Sequence, residues 1–169
     1  MTCKFLAFIN RAKILFVATV LGEMFIMVIP FKAHGLDLGD RAPPFELPGG
    51  NGQVVKVVMP PGKLIYVDFW ASWCSPCRQQ MPFNRQLDEK FKSSKVTFIY
   101  LSIDRDRSLW LKACAEEKIT GNYLSFLVLP SRSSYIENIG LKSIPRSIIY
   151  NKEGILVCKE APSPDSQLL

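Results

Sequence analysis

Val67-Asp68-Phe69-Trp70-Ala71-Ser72-Trp73-Cys74-Ser75-Pro76-Cys77 joins two kinds of periodicity, and that junction decides the fold. Upstream, Leu64 to Trp70 is a β-branched and aromatic run, the pattern of a buried strand. Downstream, Phe83, Leu87 and Phe91 recur every four residues among Arg, Gln, Asp and Lys. That spacing predicts an amphipathic helix from Pro76 to Phe91, with those three side chains on its apolar face. Pro82 lies inside it and should kink it, because its ring crowds the preceding turn and it lacks a donor.

Cys74 and Cys77 thus stand where a strand gives way to a helix. The first amides of a helix are unpaired and the dipole is positive there, so a thiolate is favoured. Cys74, just ahead of the first turn, is the expected nucleophile. Cys77 lies one turn on, close enough to bridge back and more covered. Pro76 suits the first turn, where no donor is needed. The implied chemistry is disulfide exchange: Cys74 attacks a partner disulfide, Cys77 attacks Cys74, and a Cys74–Cys77 disulfide remains. Cys77 must lose a proton in the second step. Asp68, flanked by Tyr66, Val67, Phe69 and Trp70, is the only carboxylate on the incoming strand. Burial there would raise its pKa and make it the proton acceptor; if that strand face is instead solvated, Asp68 is an ordinary surface charge.

Working outward, Val96–Ile103 reads as a second buried strand and Leu109–Lys118 as a second helix, with Leu109, Ala113, Trp110 and Cys114 inward. Leu124–Leu129 and Ser147–Tyr150 are further strands. The turn Asn151-Lys152-Glu153-Gly154 closes a hairpin with Ile155–Cys158. This order predicts an α/β fold with a central mixed sheet flanked by helices. The tail from Ala161 to Leu169 is too short for a substantial last helix. Residues 36–62, punctuated by Pro43-Pro44, Gly49-Gly50-Asn51-Gly52 and Pro60-Pro61-Gly62, read as an N-terminal extension with a short hairpin strand at Gln53–Met59. Residues 63–169 form the expected domain.

Residues 1–35 read as an export signal. Lys4, Arg11 and Lys13 precede an apolar stretch from Ile14 to Phe31, and Ala33-His34-Gly35 places small residues where a signal peptidase reads. The same stretch is just long enough to serve instead as a membrane anchor, but Glu23 near its middle is costly in lipid. Half of the formal charge of +6 lies before Leu36, and the remaining excess is dispersed, which argues against nucleic acid as a partner. Hydrophobic residues make up 48% and charged residues 21%, enough for a packed core.

The other cysteines are Cys3, Cys114 and Cys158. Cys114 on a helix and Cys158 at a strand end read as buried free thiols. Their isolation argues against a zinc site. The sole histidine, His34, precedes the expected cleavage point, which leaves no partner for Cys-His catalysis or a histidine-dependent copper site. Arg78 stands where haem attachment needs His. No metal and no cofactor are expected. A non-catalytic binding module of the same fold remains the rival, though it would need no paired cysteines.

The quoted segment resembles the active site of the thioredoxin superfamily. Cys77-Arg78-Gln79-Gln80-Met81-Pro82, with Leu38-Gly39-Asp40-Arg41-Ala42-Pro43-Pro44-Phe45 ahead of it, resembles the exported TlpA/ResA-like branch. Ile144-Pro145 resembles the superfamily's cis-proline loop. The resemblance implies a thioredoxin-like fold and a thiol-disulfide oxidoreductase. It implies that partner peptides pair with the Ile144-Pro145 backbone, and that Trp73, Ser75 and Pro76 flank the bound partner. A reductase of secreted or cytochrome c maturation proteins, recharged by a thiol protein in the membrane, is the favoured direction; a thiol oxidase or isomerase is the alternative. Gln80 stands where the branch carries Glu. The lysine that partners the buried aspartate in thioredoxin has no match on Val96–Ile103.

Overall fold

The computed structural model describes residues 35–48, 54–57, 59, 61–91, 95–120, 124–128 and 133–166. The segment expected to be an export signal, residues 1–35, lies outside them apart from Gly35. No helix among the described residues is long and apolar enough to cross a membrane.

Strands β1 (Phe45–Pro48) and β2 (Val54–Val57) pair as an antiparallel hairpin. The central sheet is built from β3 (Leu64–Trp70), β4 (Val96–Ser102), β5 (Leu124–Leu127), β6 (Arg146–Tyr150) and β7 (Leu156–Cys158), in the order β5-β4-β3-β6-β7. β3 is parallel to β4, and β4 to β5; β6 and β7 are antiparallel additions. Helices α1 (Ser75–Phe91) and α2 (Arg107–Glu116) make the crossovers that parallel pairs require, and α3 (Ser134–Asn138) precedes β6. This is the mixed sheet with flanking helices that the sequence predicts.

Strand alternation divides the core in two. Ile65, Val67 and Phe69 face one layer, filled by Tyr135, Ile136 and Ile139 around α3 together with Leu36 and Met59. Tyr66 and Trp70 face the other, filled by Cys77, Met81 and Leu87 of α1 and Ala113 and Cys114 of α2. Central strands covered on both faces are apolar at nearly every position, which is why β3 and β4 read as runs. Leu101, next to the end of β4, has no solvent exposure. Leu101→Ala should therefore lower unfolding stability by about 3 kcal/mol, measured as a fall in the denaturant midpoint at constant slope.

Two inward-facing assignments are corrected. Phe83 is exposed and Phe91 only partly buried; the buried stripe of α1 is Cys77, Met81, Asn84 and Leu87. The helix turns this stripe inward because a polar partner waits beneath Asn84, described below. On α2, Leu109 is 53% exposed, while Ala113 and Cys114 are buried and Trp110 partly so. Ion pairs from Arg78 to Glu116 and Glu117 fix the face that α2 presents to α1. Asp106 caps α2 by accepting from the Ser108 and Leu109 amides. Pro82 lies within α1, which continues on both sides of it.

The extension is docked on the far edge of the sheet. Gly39 and Ala42 donate to the carbonyls of Leu156 and Gly154, and Leu156 donates to that of Asp40. From Lys159 to Ser166 the chain makes bends and turns rather than a helix. Ala161 donates to the Ser147 carbonyl at 2.8 Å and packs on the α1 side of the sheet.

Cys114 is buried and free. Cys158 is also buried.

Candidate active site

The cysteine pair is placed by a short loop at the end of β3. The Cys74 amide donates to the Ala71 carbonyl at 3.0 Å, which turns the chain out of the sheet. Asp104 anchors this loop from the adjoining end of β4. It accepts from the Ser72 amide at 2.9 Å, from the Ser72 hydroxyl at 2.6 Å and from Ser102 at 2.6 Å. A buried carboxylate with three donors is a well-satisfied anchor.

The first helical hydrogen bond of this end runs from the Arg78 amide to the Cys74 carbonyl. Cys74 thus occupies the cap position. The Cys77 amide donates to Cys74 Sγ at 3.2 Å. One of the otherwise unpaired helix-start donors therefore points at the sulfur, the interaction that favours a thiolate there. The two cysteines are joined by a disulfide. Cys77 is the more covered of the two.

Ser75 and Pro76 are exposed beside them, and Trp73 is 65% exposed. An open depression lined by Ser72, Trp73, Ser75, Arg78 and Gln79 adjoins the pair. Large exposed aromatics next to a reactive group are suited to binding a partner surface.

The Ile144–Pro145 peptide is cis. Arg146, the next residue, pairs in register with Phe69, so Pro145 lies at the end of β3 from which the cysteine loop departs. Ile144 packs against the core layer that contains Cys74 and Cys77. The Arg146 guanidinium donates to the carbonyls of Lys159 and Gly140 at 3.1 and 3.0 Å, tying the loop on both sides.

Asp68 sits one strand position below, between Tyr66 and Trp70 on the α1 face, and is 3% exposed. Ser147 donates to its Oδ1 at 2.8 Å, and Asn84 to its Oδ2 at 3.1 Å. Burial is the main effect on its pKa and raises it; the Ser147 and Asn84 hydrogen bonds pull the other way; the balance leaves it at about 7. A carboxyl poised there exchanges a proton readily at neutral pH.

The structure therefore gathers Trp73, Cys74, Ser75, Pro76 and Cys77 at the helix start. Ile144 and Pro145 lie at the same end of the sheet, with Asp68 beneath. Sequence reasoning missed Asn84, Ser147 and the Asp104 anchor. Asn84 had a signal: it lies seven residues after Cys77, on one helical stripe with Met81, where a polar residue among buried ones calls for a partner. Ser147 had none, because its pairing with Asp68 follows from strand register.

Comparison with known proteins places this geometry. A family model described as Redoxin matches residues 37–167. The chain is 27% identical over 128 residues to the thiol-disulfide oxidoreductase ResA of Bacillus thuringiensis subsp. konkukian, covering 75% of this chain and 70% of that one. It is 27% identical over 127 residues to the thioredoxin-like protein YneN of Bacillus subtilis, covering 74% and 72%. Among solved structures, the thioredoxin domain of a thiol-disulfide oxidoreductase from Bacteroides vulgatus is similar, with a TM-score of 0.62 and 28% identity over 73% of this chain and 88% of that one. A thiol:disulfide interchange protein from Bacteroides sp. has a TM-score of 0.64 and 28% identity over 77% and 85%.

Proposed function

The chain belongs to the redoxin family and is a thioredoxin-like thiol-disulfide oxidoreductase, and from that premise we propose that it is an exported reductase of protein disulfides. The observation that carries the reading is the Cys77 amide directed at Cys74 Sγ. It marks Cys74 as the sulfur whose negative charge is stabilised.

The reaction runs in two exchanges. Cys74 thiolate attacks one sulfur of a substrate disulfide; an S–S bond forms to Cys74 as the substrate's own S–S bond breaks, and the second substrate sulfur leaves as a thiolate. Cys77 then gives its proton to the Asp68 carboxylate. Its thiolate attacks Cys74 and expels the first substrate sulfur. Two electrons pass to the substrate, and the protein ends as the Cys74–Cys77 disulfide. A thiol protein supplies the two electrons that restore the dithiol; a membrane donor fits an extracytoplasmic site. Trp73, Ser75 and Pro76 contact the substrate, and the Ile144-Pro145 backbone pairs with its extended chain.

Export rests on the sequence of residues 1–35, with its basic start and apolar stretch. Secreted proteins, including those of cytochrome c maturation, are the proposed substrates. Asp68 takes the Cys77 proton when Cys77 resolves the mixed disulfide and returns it in the reverse reaction, so the direction rests on the couple's potential.

Two measurements test this. The Cys74–Cys77 couple, equilibrated against glutathione, should be more reducing than glutathione; a value at or above that couple overturns the reductase reading in favour of an oxidase or isomerase. In Cys77→Ser, extracytoplasmic substrate proteins should accumulate as mixed disulfides on Cys74, identified by mass spectrometry. If none accumulates, the non-catalytic binding module is the better reading.

A further inference from the structure

Asp68 is held by neutral groups from two different elements. Asn84 reaches it from α1 and Ser147 from β6, and the two occupy different carboxylate oxygens. Asn84 is 0% exposed and Ser147 is 7% exposed, so neither bond is shared with bulk solvent. A fixed cation such as a lysine would serve one protonation state only, because an ammonium cannot accept. An amide and a hydroxyl each have a donor and an acceptor. Asn84 Oδ1 is buried and has no hydrogen-bond partner among the described residues. Turning the amide over costs no bond at that oxygen, and it presents an acceptor to a protonated Asp68. The serine hydroxyl rotates to the same effect.

We propose that Asn84 and Ser147 are positioning residues for disulfide exchange, forming a reversible cradle that donates to ionised Asp68 and accepts from protonated Asp68 as the Cys77 proton passes. The proposal rests on Asp68 as the proton acceptor of the reading above. The helix links the two ends of this arrangement: Cys77, Met81 and Asn84 lie on one buried stripe of α1. The other titratable groups facing Asp68 are few. Among the described residues they are Tyr66 two residues away on β3, Tyr100 opposite it in register on β4, and Cys114 of α2 and the Cys74–Cys77 pair in the same core layer. Among the described residues no cation bears on Asp68; burial and these two hydrogen bonds do.

The test is the titration of the Asp68 carboxyl carbon by NMR in the oxidised full chain, alongside the pH profile of substrate-thiol release by the reduced protein. Both Ser147→Ala and Asn84→Ala remove a charge-assisted bond to ionised Asp68 and a weaker neutral one to protonated Asp68, so the ionised form loses more. Each should move the NMR midpoint up by about one pH unit and the release profile with it. Release should fall about fivefold at pH 7, as the ionised fraction of Asp68 drops, and recover at pH 9. Ser147→Thr, which keeps the hydroxyl on a β-strand, should restore both. An NMR midpoint unmoved in both alanine variants overturns the cradle. If Asn84→Ala fails to fold, Ser147→Ala with its threonine rescue decides the matter alone. Asp68→Asn separates the two ideas: an unchanged release profile in that variant sinks Asp68 as the acceptor, whereas a changed one with unmoved midpoints in the alanine variants sinks only the cradle.

Discussion

In Cys74→Ser, reduction of a peptide disulfide falls to the rate of the reductant alone. A serine hydroxyl has no thiolate chemistry and cannot form the mixed disulfide, so no step of the exchange survives. The expected loss is at least about a thousandfold, the scale seen when a nucleophile is removed. Cys77→Ser behaves differently. Its Cys74 remains at the helix start, so the first substrate thiol is still released in a single stoichiometric burst, and turnover then stops. The measurement is thiol release under pre-steady-state conditions in the two variants. A burst in Cys74→Ser, or steady turnover in Cys77→Ser, would reverse the assignment of nucleophile and resolving thiol. Folding is not the confounder, because Cys74 and Cys77 are small side chains and serine is close in volume.

The second large effect concerns stability. Asp68 has a folded pKa raised from the ordinary carboxylate value to about 7. Below pH about 4 it is protonated in both the folded and unfolded chains. Between about 4 and 7 the folded chain keeps a proton that the unfolded chain has lost, so stability falls as pH rises through this window. Above about 7 the loss is complete. A shift of about three pH units corresponds to about 4 kcal/mol. Asp68→Asn removes the titration while keeping a shape that Ser147 and Asn84 can still bond. The variant should therefore gain on the parent by up to about 4 kcal/mol between pH 4 and pH 8, read from denaturant midpoints across that range. A stability difference that does not change with pH would refute the burial of a titrating carboxyl at this position. The same variant should release substrate thiol about a hundredfold more slowly at pH 7, the scale of a lost general base. A group that weakens the fold at neutral pH and speeds the reaction is the trade expected at a working site.

The sheet was legible in the residues because its central strands are buried on both faces. Such strands carry uninterrupted apolar runs, and Leu64–Trp70 and Val96–Ser102 are found where those runs lie. Shorter elements were less legible. Neither β1 nor α3 was anticipated; α3 is one short stretch whose inward residues, Tyr135 and Ile136, are too few to set a period. The helix faces were misread at Phe83 and Leu109 for a different reason. Apolar side chains on a helix are not obliged to be inside, and here a polar bond at Asn84 and the ion pairs at Arg78 decide which stripe turns in.

The residues alone determined the reacting pair and its place at a strand-to-helix junction. That information is local: four residues of spacing and a change of period are written in consecutive letters. They also put Asp68 on the strand leading to the pair, since a lone carboxylate in an apolar run is conspicuous. Only the tertiary structure decided what surrounds that carboxylate. Asn84 is 16 residues from Asp68 in the chain and Ser147 is 79 residues away. Their meeting depends on the rotation of α1 and the register of β6, both set by the packing of the whole sheet. The Asp104 anchor beneath Ser72, 32 residues distant, arises in the same way from the parallel pairing of β3 with β4. A sequence displays the group that reacts, because reactivity is a property of a side chain; the setting that tunes it belongs to groups brought together by folding.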